Sequence, residues 1–152
     1  MDEGLFERIW EYREETLYRR LFGDAARGIF VIPHEMFAKT FSQKDVDPRW
    51  LHHGVFEYAP TFTRSSWIYT TSGMSAPWEA EEPDPSAVSG LGCEFIFESS
   101  VRGDWAITRL LQLMAYQILL CTVAILAGNR SDCSIGYPFA APSGTTNLRS
   151  NS

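Results

Sequence analysis

Gly54-Val-Phe-Glu-Tyr-Ala-Pro60 is the first of three short aromatic segments that set the expected architecture of this chain. The second is Trp67-Ile-Tyr-Thr-Thr-Ser-Gly-Met-Ser75, and the third is Ser89-Gly-Leu-Gly-Cys-Glu-Phe-Ile-Phe-Glu98. Aromatic and β-branched residues favour strands, whereas Gly, Ser and Pro favour the turns between them. The first two segments therefore predict a hairpin, and the third predicts another strand.

The expected strands cover residues 55–59, 67–71 and 93–98. Side chains alternate between the two faces of a strand, so Phe56 and Tyr58 share one face. One core is expected to form between these strands and a long C-terminal helix. The residues predicted to line it are Phe56, Tyr58, Trp67, Tyr69, Phe95 and Phe97 on the strands, and Leu110, Leu113, Met114 and Ile118 on the helix.

The N-terminal third of the chain is predicted to be mainly helical. Apolar residues recur with helical spacing from about residue 4 to residue 22, and they predict an amphipathic helix that ends at Gly23. Residues 29–32 form a short apolar run that predicts an extended segment. Pro33 suits the first turn of a following helix, because its missing N–H is not needed there. This short helix is expected to turn Met36, Phe37 and Phe41 inward.

The longest apolar stretch runs from Trp105 to Ala127 and carries no charge after Arg109. This length reaches the lower limit for a membrane span. Arg109, Gln112 and Tyr116 fall at i, i+3 and i+7, however, so they form a polar stripe along one side of a helix. A helix that packs on a sheet needs such a polar edge, whereas a single membrane span does not. The stretch is therefore predicted to be a core helix without membrane contact.

The composition fits one ordinary globular domain. The chain has 152 residues, of which 45% are hydrophobic and 14% are aromatic, and this is enough for a single core. The net charge is −6 and the basic residues are scattered, which argues against a nucleic-acid partner, because phosphate binding needs clustered Lys and Arg. Met1-Asp-Glu3 opens an amphipathic pattern rather than the basic and apolar regions of a signal peptide.

The cysteines indicate a reducing compartment. The chain has an odd number of cysteines, Cys93, Cys121 and Cys133, and none of them is in a C-x-x-C motif. They therefore predict neither a disulfide framework nor a zinc site. Together with the N-terminus, they predict a cytoplasmic protein. No cofactor is expected.

Ser72-Gly-Met-Ser75 follows a strand and invites comparison with the nucleophile elbow of hydrolases. The elbow needs G-x-S-x-G leading into a helix, and Pro77 stands in the place of the second glycine. A serine nucleophile also needs a histidine base, and the candidates His52 and His53 both precede it. A turn that shapes the end of a strand is the favoured interpretation. A small serine-type hydrolase using Ser75 with His52 or His53 is the alternative.

Other ionisable side chains are candidates for metal binding or for acid–base chemistry. His52 and His53 are adjacent, and neighbouring strand residues point to opposite faces, so no metal site is expected. Glu57, Glu94 and Glu98 lie on expected strands, where facing carboxylates perform acid–base chemistry in some enzymes. Carboxylates in such positions more often form the polar face of a half-buried sheet, and that is the interpretation adopted.

The segment 67–78 offers a candidate partner-binding patch. Aromatic and methionine side chains at an exposed turn are common anchors of protein interfaces, although at strand spacing they are as often part of a core. The candidate residues are Trp67, Tyr69, Gly73, Met74, Ser75 and Trp78.

Several motifs occur in an order that resembles the suppressor-of-fused domain family. They are His53-Gly-Val55 with Pro60, Trp67-Ile-Tyr-Thr-Thr-Ser-Gly-Met-Ser75, Ser89-Gly-Leu-Gly92 with Glu94, and Asp104-Trp-Ala-Ile107 before Leu113-Met-Ala-Tyr-Gln117. Together they cover roughly residues 50–120, and the N-terminal helices also resemble those of bacterial members. Each motif alone is a weak signal, whereas their order and spacing are fairly specific.

The resemblance implies an α+β domain with a mixed β-sheet flanked by helices. A single domain over residues 1–152 would contain an N-terminal helical part at about 4–45, a family-like sheet and helix at about 50–120, and an atypical tail at about 121–152. The animal member binds and restrains a transcription factor, and bacterial members are linked to protein interaction, including immunity against toxins. The implied function is a non-enzymatic protein-binding module of a bacterial cytoplasm, with immunity as a narrower case.

The chain departs from the family pattern after Leu120, where the family continues with a polar His-Gly turn and further strands. Permitted codons for Leu120 to Pro142, read one base earlier, can encode a sequence closer to the family. We therefore hypothesise a truncated or frameshifted end from about Cys121. A sheet without its last strands exposes an unpaired edge, and residues 121–127 extend an apolar helix. The sequence thus predicts self-association through this end.

Overall fold

A computed structural model of the chain describes residues 3–46, 48–77 and 90–126. Helices alternate with strands in the first half of the chain, and one long helix closes the described part. The helical elements are α1 (Glu3–Glu11), a π-helical segment (Tyr12–Tyr18), α2 (Arg19–Phe22), α3 (His34–Phe41), a 3-10 turn (Pro48–His52) and α4 (Asp104–Leu126). The strands are β1 (Ala25–Val31), β2 (Gly54–Tyr58), β3 (Trp67–Ser72) and β4 (Ile96–Ser99). The predicted α+β class is confirmed.

The four strands form one antiparallel sheet in the order β1-β2-β3-β4. The predicted hairpin is confirmed, because β2 pairs with β3 from Gly54↔Ser72 to Tyr58↔Ile68. The expectation of a mixed sheet is wrong for the described strands, since each runs back beside the one before it and no parallel crossover is made. The run before Pro33 is also longer than expected and forms the edge strand β1.

The last strand is shorter than predicted. Pairing in β4 begins at Ile96, not at Cys93. Just before it, the Phe95 N–H donates to Thr71 Oγ1 (2.7 Å), so a side chain replaces the backbone acceptor of a regular ladder at this point. The Thr71 N–H still donates to Phe95 O at 2.9 Å, so the preceding residue Glu94 lies beside the end of β3.

Helices cover both faces of the sheet and enclose two clusters of apolar side chains. The larger cluster lies between the sheet and the helices α3 and α4, with Val55 and Tyr69 fully buried at its centre. Trp67, Phe95 and Phe97 are only partly buried around it. The smaller cluster lies on the opposite face under the N-terminal helices and is formed by Tyr18, Tyr58 and Ile68, with Phe22 and Phe56 beside them.

The two-sided packing corrects the predicted core. Phe56 and Tyr58 do share a face, but they pack against the N-terminal helices and not against α4. Their neighbours Val55 and Glu57 face α4 instead, because successive side chains of a strand point to opposite sides. The prediction assumed a single core, so it could not foresee that both faces of β2 are covered by helices.

On α4, Leu110, Met114 and Ile118 are buried as predicted, whereas Leu113 is 49% exposed. The buried residues follow helical spacing toward the sheet, and Leu113 lies on the outer side together with Tyr116. Arg109 and Tyr116 of the predicted polar stripe are exposed, as expected for a core helix. No helix within the described ranges is long and apolar enough to cross a membrane.

A pair of alanine substitutions tests the orientation of α4. Leu110→Ala should lower the free energy of unfolding by about 2–3 kcal/mol, because it removes buried methyl groups from a close-packed site. Leu113→Ala removes the same atoms from an exposed position and should change stability by less than about 0.5 kcal/mol. Urea denaturation of both variants measures the difference. Equal losses would mean that the helix is rotated relative to the sheet.

The N-terminal helical region extends over the predicted residues but changes its winding. After α1 the backbone widens to a π-helix from Tyr12 to Tyr18, and this segment turns Arg13 and Tyr18 toward the sheet. Gly23 ends the region with φ of 92°, a left-handed value that glycine adopts without strain, so the predicted helix end is confirmed.

Candidate functional site

The predicted turn Ser72–Ser75 is present, and a carboxylate from the same chain fills it. The backbone N–H groups of Gly73 and Ser75 both donate to Glu94 Oε1, at 3.1 and 2.9 Å. Ser75 Oγ donates to the same oxygen at 2.7 Å, and Thr71 Oγ1 donates to Glu94 Oε2 at 2.8 Å. The donors of this turn are therefore engaged in holding the segment before β4 against the end of β3.

Arg13 adds a buried positive charge to this turn. Its Nε donates to Ser72 Oγ at 3.0 Å and its Nη1 donates to Ser75 Oγ at 3.3 Å, with Glu94 Oε1 3.7 Å from Nη1. Ser72 Oγ in turn donates to Glu14 Oε1 at 2.5 Å. The π-helical segment thus brings two consecutive charged residues to the end of β3. No sequence signal marked Arg13, since the expected α-helix carries it as one charge among several.

These contacts bear on the hydrolase alternative. The Ser75 hydroxyl donates to Glu94 and accepts from Arg13, which is an arrangement suited to fixing a turn. The His52 ring lies beside the Trp10 ring at a tilt of 39°, with ring centroids 6.0 Å apart. His53 lies beside Gly73, where an added Cβ would approach its Cδ2 to 3.1 Å. A serine–histidine nucleophile would need the proton of Ser75 Oγ to point at an imidazole nitrogen.

Much of the predicted partner-binding patch is in the interior, which is a correction to the sequence prediction. Tyr69 and Met74 are fully buried, and Gly73 is also buried. There are two physical reasons. The strand β3 is an inner strand of the sheet, and Leu91 covers the following turn, with its N–H donating to Met74 O at 2.7 Å. Trp67 and Ser75 remain partly exposed. Trp78, Cys133 and the tail beyond Leu126 lie outside the described residues, as do the side chains of 123–126.

A different surface forms around Trp67, and we call it the aromatic–arginine surface. It consists of Trp67, Phe97, Val101, Arg102 and Trp105. The Arg102 guanidinium carbon lies 5.1 Å from the centroid of the Trp67 ring, and the Phe97 and Trp105 rings meet edge to face with centroids 5.2 Å apart. Val101 is exposed and Trp105 is 55% exposed. The surface therefore presents two tryptophans and an arginine beside the edge strand β4.

A buried carboxylate supports this surface from below. The Glu57 side chain is fully buried on the α4 side of β2, and Arg27 binds it through two hydrogen bonds of 2.7 and 2.9 Å. Arg102 Nη2 donates to Glu57 Oε1 at 3.0 Å. The hydrogen bond from Arg27 lowers the pKa of Glu57 to about 2; burial opposes this shift, and the bond from Arg102 adds to it. Glu57 is therefore ionised at neutral pH, and its negative charge holds the Arg102 guanidinium in place.

The start of α4 is fixed by the same cluster. Arg27 Nη2 donates to Asp104 Oδ1 at 2.5 Å, and the Gly103 N–H donates to the hydroxyl of Tyr69 at 2.9 Å. A Cβ on Gly103 would overlap the indole of Trp105, so only glycine leaves room for this ring position. The positive charges of Arg27 and Arg102 are balanced by the negative charges of Glu57 and Asp104. The aromatic–arginine surface is therefore electrically neutral.

Sequence reasoning placed Trp67 in a binding patch but missed Arg102 and Trp105. The available signal was Glu57, because strand alternation places it beside Val55 on the face that α4 covers. A carboxylate on a buried face requires a positive partner.

No three His, Cys, Asp or Glu side chains within the described ranges are grouped as a metal site requires. Comparison of the chain with protein-family models, with curated proteins and with solved structures found no match.

Proposed function

We propose that this chain is a non-enzymatic protein-binding module of the suppressor-of-fused type, acting in the cytoplasm. The observation that carries the proposal is the aromatic–arginine surface, which displays Trp105, Trp67 and Arg102 together at the edge of the sheet. Tryptophan and arginine are the residues most enriched among the energetic centres of protein interfaces. The motif order described above supports the family assignment.

The surface is organised before any partner arrives. Glu57 holds Arg102, Gly103 bonds to Tyr69, and Phe97 supports the Trp105 ring. Binding therefore orders few additional side chains, and each side chain that needs no ordering saves about 0.5–1.5 kcal/mol of binding free energy. A neutral surface of this kind favours a partner with an apolar contact region and a polar rim.

The filled turn at Ser72–Ser75 fits a binding module better than a hydrolase. Its N–H groups and the Ser75 hydroxyl bind Glu94, so the donors that would stabilise an oxyanion in a hydrolase are already occupied. Loss of a measurable esterase or peptidase activity on Ser75→Ala, in a chain that captures no partner, would replace this proposal with the hydrolase alternative.

The partner class suggested by the family resemblance includes toxins that the module would neutralise. Immunity is therefore a narrower form of the same proposal. A toxin gene next to the gene for this chain would favour it, and protection of cells that express that toxin would test it directly.

Affinity capture with the purified chain tests the proposal. A specific protein from the native host should bind, and Trp105→Ala should weaken that binding by about tenfold or more, because it removes the largest exposed ring of the surface. Tyr116→Ala is the matched control, since Tyr116 is an exposed aromatic on the same helix (51% exposed) outside the surface. It should leave binding within about twofold of wild type.

A second variant separates lost binding from lost folding. Val101→Asp places a charge at an exposed position of the surface and removes no core atoms. It should also weaken binding while the midpoint of thermal unfolding stays close to wild type. Binding that is unaffected by both Trp105→Ala and Val101→Asp would contradict the assignment of this surface.

A further inference from the structure

The hairpin loop between β2 and β3 carries a second candidate contact. At its tip, Phe62 is exposed to 105% of its reference area, which means that it touches almost nothing in the protein. Single exposed hydrophobic residues are common on protein surfaces, so exposure alone identifies nothing. Phe62 differs from other exposed apolar residues because hydrogen bonds fix the backbone of its loop.

The tip of the loop is a closed turn. The Thr61 N–H donates to Arg64 O at 2.8 Å, and the Arg64 N–H donates back to Thr61 O at 3.3 Å. The two reciprocal bonds enclose Phe62 and Thr63 and fix the backbone on which the ring stands. An aromatic side chain has only two rotatable angles, so on a fixed backbone it loses little conformational entropy when it is bound.

Arg64 ties this turn to the rest of the fold. Its Nη2 donates to Ala59 O at 2.7 Å and to Phe22 O at 3.2 Å, and its Nε donates to Ser66 O at 3.1 Å. Phe22 is the last residue of α2, where carbonyl groups lack helical partners. One guanidinium thus joins the loop to the end of a helix and to the strand before it, and Phe62 projects from this rigid base.

The charge distribution restricts the kind of partner. Between Ala59 and Ser66 the only charged side chain is Arg64, and its guanidinium is turned inward onto carbonyl groups. The loop therefore offers no cation for a phosphate or an acidic peptide. With a net charge of −6, the chain is also repelled by anionic lipid surfaces. An apolar pocket in another protein is the environment that this uncharged tip fits.

A second exposed apolar side chain stands on the helix end that Arg64 binds. Leu21 is exposed near the end of α2, next to Phe22, whose carbonyl receives Arg64. Gly23 follows, and a Cβ there would lie 3.4 Å from the Thr61 methyl group, so the helix end and the turn are in close approach. Leu21 can therefore border the contact that Phe62 makes.

We propose that Phe62 is a preformed anchor that inserts into an apolar pocket of a partner protein, with Leu21 at the border of the contact. This role does not depend on the aromatic–arginine surface. Both surfaces lie at the end of the sheet where β3 begins, since the loop leads directly into Trp67. A partner large enough to cover that end would contact both.

Photocrosslinking in the native host tests the anchor. The photoreactive amino acid p-benzoylphenylalanine is placed at position 62 of the full chain and, as a matched control, at position 116, where Tyr116 is exposed on the outer side of α4. The expected result is a crosslink from position 62 to one partner protein, absent from the control, with the attachment site lining an apolar pocket of that partner.

Binding of that purified partner then gives the quantitative test. Phe62→Ala should weaken binding about 30-fold or more, as expected for an interface anchor, whereas Phe62→Leu should lose less than about fivefold because the pocket still receives an apolar group. Thr63→Ala is the neighbouring control and should leave affinity unchanged. Trp105→Ala, measured with the same partner, reports separately on the aromatic–arginine surface.

Four results would overturn the anchor. These are a crosslink from position 62 to a second copy of this chain, a crosslink to lipid, no crosslink above the Tyr116 control, and equal affinities for wild type and Phe62→Ala. Circular dichroism of each variant confirms that it is folded; an exposed side chain is expected to tolerate replacement.

Discussion

Replacing Glu57 with glutamine should lower the free energy of unfolding by about 3–4 kcal/mol at pH 7. Gln keeps the size of the side chain but removes the negative charge that Arg27 and Arg102 share. The carboxylate is fully buried, and Arg27 binds both of its oxygens, so the neutral amide leaves Arg102 without this counter-charge and leaves Arg27 with Asp104 alone. Chemical denaturation monitored by tryptophan fluorescence measures the loss.

Glu11→Gln is the matched control, because it makes the same charge change at an exposed position of α1 and should alter stability by less than about 0.5 kcal/mol. A similarly small loss for Glu57→Gln would mean that solvent screens the partly exposed Arg27 and Arg102 and that their ion pairs with Glu57 contribute little. Arg102 would then be free to move, and the aromatic–arginine surface would lose its fixed base.

The same substitution predicts a change in acid sensitivity. The folded-state pKa of Glu57 is about 2 and its ordinary value is near 4.5, so its ionised form stabilises the fold fully above pH 4.5. This contribution is lost as the pH falls from 4.5 toward 2, because the unfolded chain then takes up a proton at Glu57 that the folded state does not bind until about pH 2. The stability difference between wild type and Glu57→Gln should therefore shrink across that range. A constant difference would contradict the assignment.

The elements that the sequence predicted well are those whose signals are local. Pro60 and Gly73 bound the hairpin strands, and aromatic and β-branched residues fill the strands themselves. Pro33 marks the start of α3, and Gly23 marks the end of α2. Each of these residues acts through its own backbone preference. The ends of these elements could therefore be predicted without knowledge of any tertiary contact.

The orientation of α4 was only partly predictable. Apolar residues surround much of this helix, so their spacing could not separate the buried Leu110 from the exposed Leu113. The packing of the sheet makes that choice. The face of β2 posed the same difficulty, because helices cover both sides of the sheet and both sets of alternating residues are mainly buried.

The sites were predictable only in outline, because their contacts join distant parts of the chain. Glu57 binds Arg27 and Arg102, which lie 30 and 45 residues away. Arg13 reaches Ser72 across 59 residues, and it does so from a π-helical turn that no α-helical pattern predicts. A sequence shows that such charged residues exist, but the fold determines which of them meet.

Replacing Arg13 with methionine should lower the free energy of unfolding by about 3–5 kcal/mol, because it breaks a buried charge network. Met preserves the apolar stem of the side chain but leaves Glu94 without its cation and leaves Ser72 and Ser75 without a donor. The loss should loosen the N-terminal helices first, since Arg13 joins them to the end of β3. Hydrogen exchange of the amides in residues 5–22 measures this loosening, and urea denaturation measures the total loss.

Arg20→Met is the matched control, because Arg20 is exposed on α2 and its replacement should change stability by less than about 0.5 kcal/mol. The double variant Arg13→Met with Glu94→Gln should be more stable than the sum of the two single losses predicts, since removal of both charges leaves neither one buried alone. Additive losses would show that Arg13 and Glu94 act independently. In that case the 3.7 Å approach between them contributes no measurable coupling to the fold.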